Sequence, residues 1–228
     1  RDWLYDRRRA GRHMTQKLEI YQSLWGMELR SPHVPERTPE ECFAMIAEAG
    51  FDGVCLDPSA TEIPEMRQLE PLYKEYGLGC MVNAFPYHED DMQPLLGFAK
   101  DFDACMVNVI SGVMPIRPED AVPTVRRWML EANDVGMPLL FETHRDGLLN
   151  DMYFTLQLMD LVPEMRLCAD LSHFVVDREL RAPVPERVLR DYVDLLVMFI
   201  SEPAMASRRI RIDLSVEVAR PARHAVRG

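Results

Sequence analysis

From residue 18 onward the chain alternates two hydrophobic patterns. Short runs dense in apolar and β-branched residues are followed by longer stretches whose apolar positions recur every three or four residues. The runs are LEIYQSLWGM (18–27), FDGVCLD (51–57), GLGCMVNAF (77–85), ACMVNVIS (104–111), MPLLFETH (137–144) and RLCADLSH (166–173). They predict six strands. The first intervening helix is predicted to open with Thr38 as N-cap, Pro39 at the first helical position and Glu41 at the third. Cys42, Phe43, Ile46 and Ala47 share one of its faces, and Gly50 ends it. Further helices are predicted over 63–76 (ended by Gly77), 89–100, 118–135 (opened by Pro118, Glu119 and Asp120, ended by Gly136), 148–162 and 185–200.

Six strand-then-helix units in succession call for a parallel sheet flanked by helices. The nearly continuous apolar strands fit a sheet buried on both faces. A closed (β/α) barrel and an open doubly wound sheet both satisfy this pattern. The first strand-to-helix turn lacks G-x-G-x-x-G, and the chain has no Walker loop, which weakens a nucleotide-binding open sheet. The expected fold class is therefore α/β, a (β/α) barrel. Near the end, Ile210, Ile212, Leu214, Val216 and Val218 alternate with Arg209, Arg211, Asp213, Ser215 and Glu217, which predicts one more strand. A barrel of eight needs two further units beyond residue 200, so the barrel is expected to be incomplete or altered at its C-terminus. Residues 1–13 are Arg-rich and aperiodic and are expected to form a disordered extension. Residues 14–228 form a single expected domain, with 201–228 atypical.

Composition narrows the partners. Residues 1–13 hold five Arg and two Asp, and 201–228 hold six Arg and three acids. Between them lie 15 basic and 32 acidic residues, a net of −17. Such a body repels phosphate backbones, so nucleic acid is not an expected partner, whereas a neutral sugar or a cation is. No apolar run is long enough to span a membrane, and no signal-peptide pattern is present, so the expected location is cytoplasmic. The five cysteines, Cys42, Cys55, Cys80, Cys105 and Cys168, stand apart among apolar neighbours and form no CxxC pair. They read as reduced core thiols.

In parallel β/α folds, sites form at the C-terminal ends of the strands. Those ends carry Trp25, Asp57, Asn83 and Asn108, then Glu142-Thr143-His144-Arg145, then Asp170-Leu171-Ser172-His173. A buried carboxylate needs a partner or a metal. A hard divalent cation takes oxygen ligands and tolerates imidazole. Two neighbouring strand ends that each offer an acid and a His meet both demands. An ion pair of Glu142 with Arg145 or Arg166 is the simpler alternative. Asn83 and Asn108 suit either sugar hydroxyls or helix caps. Trp25 and Phe85 suit either a sugar-ring wall or ordinary packing. His144 and Arg145 are further candidates for substrate contact.

KLEIYQSLWGM, TPEECFAMIAEAGFDGV, LLFETHR and ADLSHF together resemble the xylose isomerase-like TIM barrel superfamily, over about residues 16–200. That group includes sugar phosphate isomerases and epimerases, hydroxypyruvate isomerases and endonuclease IV. The resemblance implies Glu142 and Asp170 as metal ligands, and His173 as a substrate contact or, in the nuclease branch, a ligand. It implies a divalent ion (Mn²⁺, Mg²⁺, Co²⁺ or Zn²⁺) and a sugar or sugar-phosphate isomerase or epimerase working through an enediolate. Glu142 would be the base and His173 would orient the substrate. The family adds a His from strand seven and an acid from strand eight. Asp213, Glu217 and His224 are the nearest candidates, and none sits in the expected motif. The alternatives are an endonuclease IV-like phosphodiesterase and a degenerate, inactive barrel. An exposed seam beside the last strands would invite a second copy, so a homo-oligomer is among the expected partners.

Overall fold

The computed structural model of the protein describes residues 19–170, residue 173 and residues 211–213. Its strands are β1 (Glu19–Ser23), β2 (Gly53–Leu56), β3 (Gly79–Ala84), β4 (Val107–Val109), β5 (Leu139–Glu142), β6 (Leu167–Cys168) and β7 (Arg211–Asp213). Its helices are α1 (Pro39–Glu48), α2 (Ile63–Met66), α3 (Glu70–Tyr76), α4 (Met92–Asp101), α5 (Pro118–Asp134) and α6 (Met152–Leu161). All strand pairs are parallel, in the order β6-β5-β4-β3-β2-β1-β7. The first six strands curl into a half-barrel that alternates with helices. The extension 1–13, the helix expected at 185–200 and most of the strand expected at 209–218 lie outside the described residues.

The strand expected near the end is present at 211–213, but it does not continue the series beside β6. It pairs with β1, Glu19 opposite Arg211 and Ile20 opposite Ile212. In a curling parallel sheet the free edge of the first strand offers the same ladder as that of the last. A period-two pattern does not say which edge a strand will join.

Alternation along each strand separates two environments. Val54, Leu56, Val82, Ala84, Val107, Val109, Phe141 and Leu167 face outward into the main core. There they meet Phe43 and Ile46 of α1, Leu95 and Phe98 of α4, Trp128 of α5 and Leu158 of α6. Each such buried side chain contributes about 1.5–3 kcal/mol of hydrophobic stabilisation. Tyr21, Cys55 and Met81 face inward and form a separate cluster with Cys105 and Met106. The Tyr21 ring crosses two neighbouring strands at close range. A Cβ on Gly53 would sit 2.2 Å from Tyr21 Cε1, and one on Gly79 would sit 2.8 Å from Tyr21 Oη. Only glycine fits beneath that ring.

The helix ends follow the sequence closely. Thr38 caps α1, accepting from the Glu41 amide at 3.3 Å, while the Glu41 carboxylate accepts from the Thr38 amide at 2.8 Å. Gly50, Gly77 and Gly136, at φ of +80°, +65° and +70°, carry the chain out of α1, α3 and α5. The expected helix 63–76 is broken by a 3₁₀ turn, Arg67–Leu69. Pro71 lacks the N–H that would bond back to Arg67, and it restarts the helix as a residue of the first turn of α3. The segment 89–100 likewise opens as a 3₁₀ turn, Glu89–Asp91, before α4. That turn is latched to α5, where the Trp128 indole donates to the Glu89 carbonyl at 2.8 Å and Arg127 pairs with Asp90 at 2.6 Å. The helix expected from 148 begins at Met152, capped by Asp151. The residues before it instead form a turn, with Asp146 at φ +57° and the Leu148 amide bonded to the Ser111 carbonyl at 2.9 Å.

All five cysteines are free thiols. Burial pushes the Cys80 thiol up to about 12. Among the described residues no helix is long and apolar enough to cross a membrane.

Candidate functional site

Above the apolar inward cluster the next inward positions are polar. They are Ser23, Asp57, Asn83, Asn108 and Glu142, one from each of the first five strand ends. A continuous chain of hydrogen bonds joins them. Ser23 Oγ donates to Asp57 Oδ2 at 2.8 Å, and Asn83 Nδ2 donates to Asp57 Oδ1 at 2.7 Å. Asn108 Nδ2 donates to Asn83 Oδ1 at 3.0 Å and also to Glu142 Oε2. The carboxylates at the two ends fix the direction of every bond between them. Asp57 only accepts, so Asn83 presents its nitrogen to Asp57 and its oxygen to Asn108. Asn108 must then present its nitrogen to both Asn83 and Glu142. Asn83 and Asn108 are 5% and 1% exposed, and both amide nitrogens and the Asn83 oxygen are satisfied within the chain, while among the described residues Asn108 Oδ1 meets no partner.

The last two strand ends add imidazoles. Glu142 closes β5, and two residues on lies His144. Beyond β6 come Asp170 and the buried His173. Glu142, His144 and His173 each bring a donor atom within 4.8 Å of the others. The two imidazole rings lie 3.9 Å apart between centroids, tilted by 45°. Each side chain has a positioning partner. Asn108 holds one oxygen of Glu142. His144 Nδ1 is bonded to the Arg145 carbonyl. His173 Nε2 lies 3.5 Å from Asp170 Oδ2. The fully buried Thr143 ties the two strand ends together, its amide bonding to the Cys168 carbonyl at 3.1 Å and its hydroxyl to the Asp170 carbonyl at 2.9 Å. One carboxylate and two imidazoles converging at the mouth of a parallel sheet form a donor set that fits a divalent cation.

The structure thus brings Asn83, Asn108, Glu142, Asp170, His144 and His173 to one mouth. Arg145 is half-buried there, and its carbonyl orients His144. Trp25 stands in a short 3₁₀ turn after β1 and is 43% exposed. The Arg30 guanidinium covers it, 3.9 Å from the ring centroid, itself held by Glu28 at 2.9 Å. Ser23 and Asp57 anchor the polar chain; the sequence marks Asp57 as a strand-end residue without giving it a role, and does not mark Ser23. Their signal is faint but real, since each stands two residues after an inward apolar position, Tyr21 and Cys55.

No protein-family model matches the sequence, and no curated protein matches it. Solved structures do. A xylose isomerase-like TIM barrel protein from Mycobacterium smegmatis, in complex with magnesium, is 19% identical with a TM-score of 0.53. The match covers 80% of this chain and 72% of that one. A D-allulose 3-epimerase from Methylomonas sp., in complex with D-allulose, is 14% identical over 73% of this chain and 67% of that one, with a TM-score of 0.56. The probable 3-DHS dehydratase AsbF of Bacillus anthracis, involved in petrobactin synthesis, is 17% identical over 70% of this chain, with a TM-score of 0.51. The match covers 65% of the dehydratase, and other solved chains are covered to 63–64%. This chain therefore spans somewhat less than two thirds of their length. With six parallel strands curled in sequence order and alternating with helices, the chain has the fold of the xylose isomerase-like TIM barrels.

Proposed function

We propose that the protein is a divalent-metal-dependent isomerase or epimerase of a sugar or sugar phosphate. The observation that carries this reading is the placement of Glu142. Its carboxylate is fixed by Asn108 and stands beside two imidazoles at the mouth of the sheet. Sugar epimerases and a dehydratase among the structures of the same fold support the substrate class.

A bound divalent cation supplies positive charge that polarises a carbonyl next to a hydroxyl-bearing carbon. Glu142 and Asp170 would hold it, with the imidazoles of His144 and His173 beside them. The chain's own part begins with the base. Asn108 fixes Glu142 Oε2, so the plane of the carboxylate and the position of its second oxygen are set before substrate arrives. Glu142 takes the proton from the carbon beside the carbonyl and, in an isomerisation, returns it from the same face to the neighbouring carbon; in an epimerisation a second proton donor serves the opposite face. His173, buried and steadied by Asp170, directs an N–H or a lone pair at the substrate oxygens. Along the floor Asn83 and Asn108 present amide groups of fixed polarity, which suit a compound with several hydroxyls. The strongly acidic body agrees with a small neutral or metal-bridged substrate rather than nucleic acid.

The test is solvent exchange. Full-length protein with Mn²⁺ or Co²⁺ is incubated in D₂O with a panel of ketoses and ketose phosphates, and deuterium incorporation beside the carbonyl is followed by NMR. Incorporation is expected for at least one substrate. It should fall by about 10²–10⁴-fold in Glu142→Gln, whose fold is checked by circular dichroism. Absence of exchange across the panel, or exchange that survives Glu142→Gln, overturns the proposal.

A further inference from the structure

We infer that the β3–β4 side of the mouth is an apolar wall for the carbon face of a sugar, and that Tyr87, seated on Gly112, is its specificity-determining residue. The inference rests on the sugar-substrate part of the reading above and adds the side of the site that meets the substrate's C–H groups.

The alternation of the strands places Tyr87. Asn83 and Asn108 stand opposite one another and face inward. The ladder runs on past Ala84. The Ile110 amide donates to the Ala84 carbonyl at 2.9 Å, and the Gly112 amide donates to the Pro86 carbonyl at 2.9 Å. Pro86 has no N–H, so this is the half of the next rung that it can make. The same register sets Phe85 beside Ile110 and Tyr87 beside Gly112, on the side that carries Asn83 and Asn108. The outward core agrees, for among the described residues it takes in Val113 and neither Phe85 nor Ile110.

Gly112 is what lets the ring lie there. A Cβ on Gly112 would sit 2.6 Å from Tyr87 Cδ1 and 3.1 Å from Tyr87 Cε1, so the ring fills the place of a side chain at position 112. The backbone that carries the ring is fixed as well. Asp91 Oδ2 accepts from the Tyr87 amide at 2.9 Å and from the His88 amide at 2.8 Å. Tyr87 is nonetheless 59% exposed, which leaves the face turned away from Gly112 open. An aromatic ring held in one place with a bare face is a contact surface prepared before the ligand arrives.

The ring also stands close to the charged side of the mouth. Val107 pairs with Leu139 and Val109 with Phe141, and that register carried on sets Gly112 level with His144. The loops agree. The Leu148 amide donates to the Ser111 carbonyl at 2.9 Å, and a Cβ on Gly147 would sit 3.2 Å from the His144 carbonyl and 3.3 Å from the Ser111 carbonyl. Adjacent strands lie about 4.8 Å apart. A sugar whose oxygens are held beside Glu142 and His173 therefore reaches Tyr87 with its far carbons.

The mouth thus has two unlike sides. Glu142, His144, Asp170 and His173 stand on one, where charge and hydrogen bonds act. Phe85 and Ile110, with Tyr87 above them, stand on the other. A sugar is two-sided in the same way, with hydroxyls around its edge and an apolar patch of C–H groups that suits an aromatic face. Such a contact is made equally in the ground state and the transition state, so it acts on KM and leaves kcat alone. Trp25, the other exposed ring that follows a strand, already carries the Arg30 guanidinium over its face.

The experiment uses the full chain with Zn²⁺ added and ¹³C in its tyrosine rings. D-fructose, D-allulose, D-tagatose and D-sorbose are titrated in, and the Tyr87 ring signal, assigned by its loss in Tyr87→Phe, is followed by NMR. At least one ketose is expected to shift it. Tyr87→Ala should weaken binding of that ketose by about 2–10-fold and raise KM for deuterium exchange by the same factor with kcat held, while Tyr87→Phe keeps wild-type values. Gly112→Val, which pushes the ring off its seat, should weaken binding as Tyr87→Ala does, and the two changes together should cost no more than either alone. Circular dichroism checks each fold, and if Gly112→Val does not fold, Tyr87→Ala and Tyr87→Phe decide. A ketose bound and exchanged equally well by Tyr87→Ala overturns the inference and leaves the isomerase or epimerase reading standing. Binding that depends on Tyr87, with no exchange of any ketose, upholds the wall as part of a sugar-binding site and overturns that reading. No binding of any ketose overturns both.

Discussion

The two faces of the sheet are built to different rules. On the outward face, Val54, Leu56, Val82, Val107 and Phe141 are packed against helices with 0–1% exposure and carry no polar atoms beyond the backbone. On the inward face, the apolar cluster of Tyr21, Cys55 and Met81 gives way toward the strand ends to Ser23, Asp57, Asn83, Asn108 and Glu142, joined in a hydrogen-bonded chain. Both faces are buried. The outward face is stabilised by contact area, which has no direction. Stability inside depends on each donor finding its acceptor, which has a strict direction. Mutations should therefore separate the two, with outer changes costing stability and leaving the site's chemistry alone, and inner changes doing more harm to the site than to the fold.

The largest effect should come from Trp128→Ala. This fully buried ring stacks on Phe141 at 6.5 Å and latches the turn before α4 through its indole N–H. A loss of about 3–5 kcal/mol in urea unfolding is expected, with the cation affinity of the folded fraction unchanged. A large change in affinity would show that the two faces are not independent. Next comes Asn83→Leu, which leaves Asp57 and Asn108 without a shared partner. It should cost about 1–3 kcal/mol and, unlike the outer variant, also loosen Glu142, seen as weaker Co²⁺ binding. Wild-type binding in this variant would reduce the polar chain to core filler. Thr38→Ala, at the start of α1 and remote from the inner layer, should cost about 1 kcal/mol and leave ion binding as it was.

The smallest effect lies at the rim. Hydrogen bonds from the Ser59 hydroxyl and amide hold the Glu62 carboxyl below the usual glutamate range. A group depressed on folding contributes stability above its unfolded pKa and loses it as pH falls through the folded value. Ser59→Ala should therefore remove a small stabilisation, under about 0.5 kcal/mol for an exposed group, that is present at neutral pH and absent in strong acid. Paired unfolding curves at pH 7 and below pH 3 would show it. A larger gap at the acid end would contradict the assigned sign.

The outward face was readable because area leaves a period. Short runs dense in apolar and β-branched residues announced every strand from β1 to β6. The capping box at Thr38 and the glycines at 50, 77 and 136 announced where helices begin and end. The break at Arg67–Leu69 was written there too, in Pro71, though a helical period masked it. The inner layer was readable only at its chemically loud end, where Glu142, His144, Asp170 and His173 stand close in sequence. Asp57 and Ser23 act through partners on other strands, 26 and 34 positions away along the chain, and no local pattern encodes such pairing. The place of β7 was hidden for the same reason, since its alternation marks a strand and says nothing of its neighbour.

That last pairing has a consequence for how the protein is made. β1 leaves the ribosome ahead of its partner β7, which lies about 190 residues downstream. At ordinary translation rates the interval is roughly 10–40 s. Throughout it the edge of β1 remains an unpaired ladder, a template for strands of other nascent chains. Yield of the native protein in a cell should therefore depend on chaperones that shield that edge until β7 arrives.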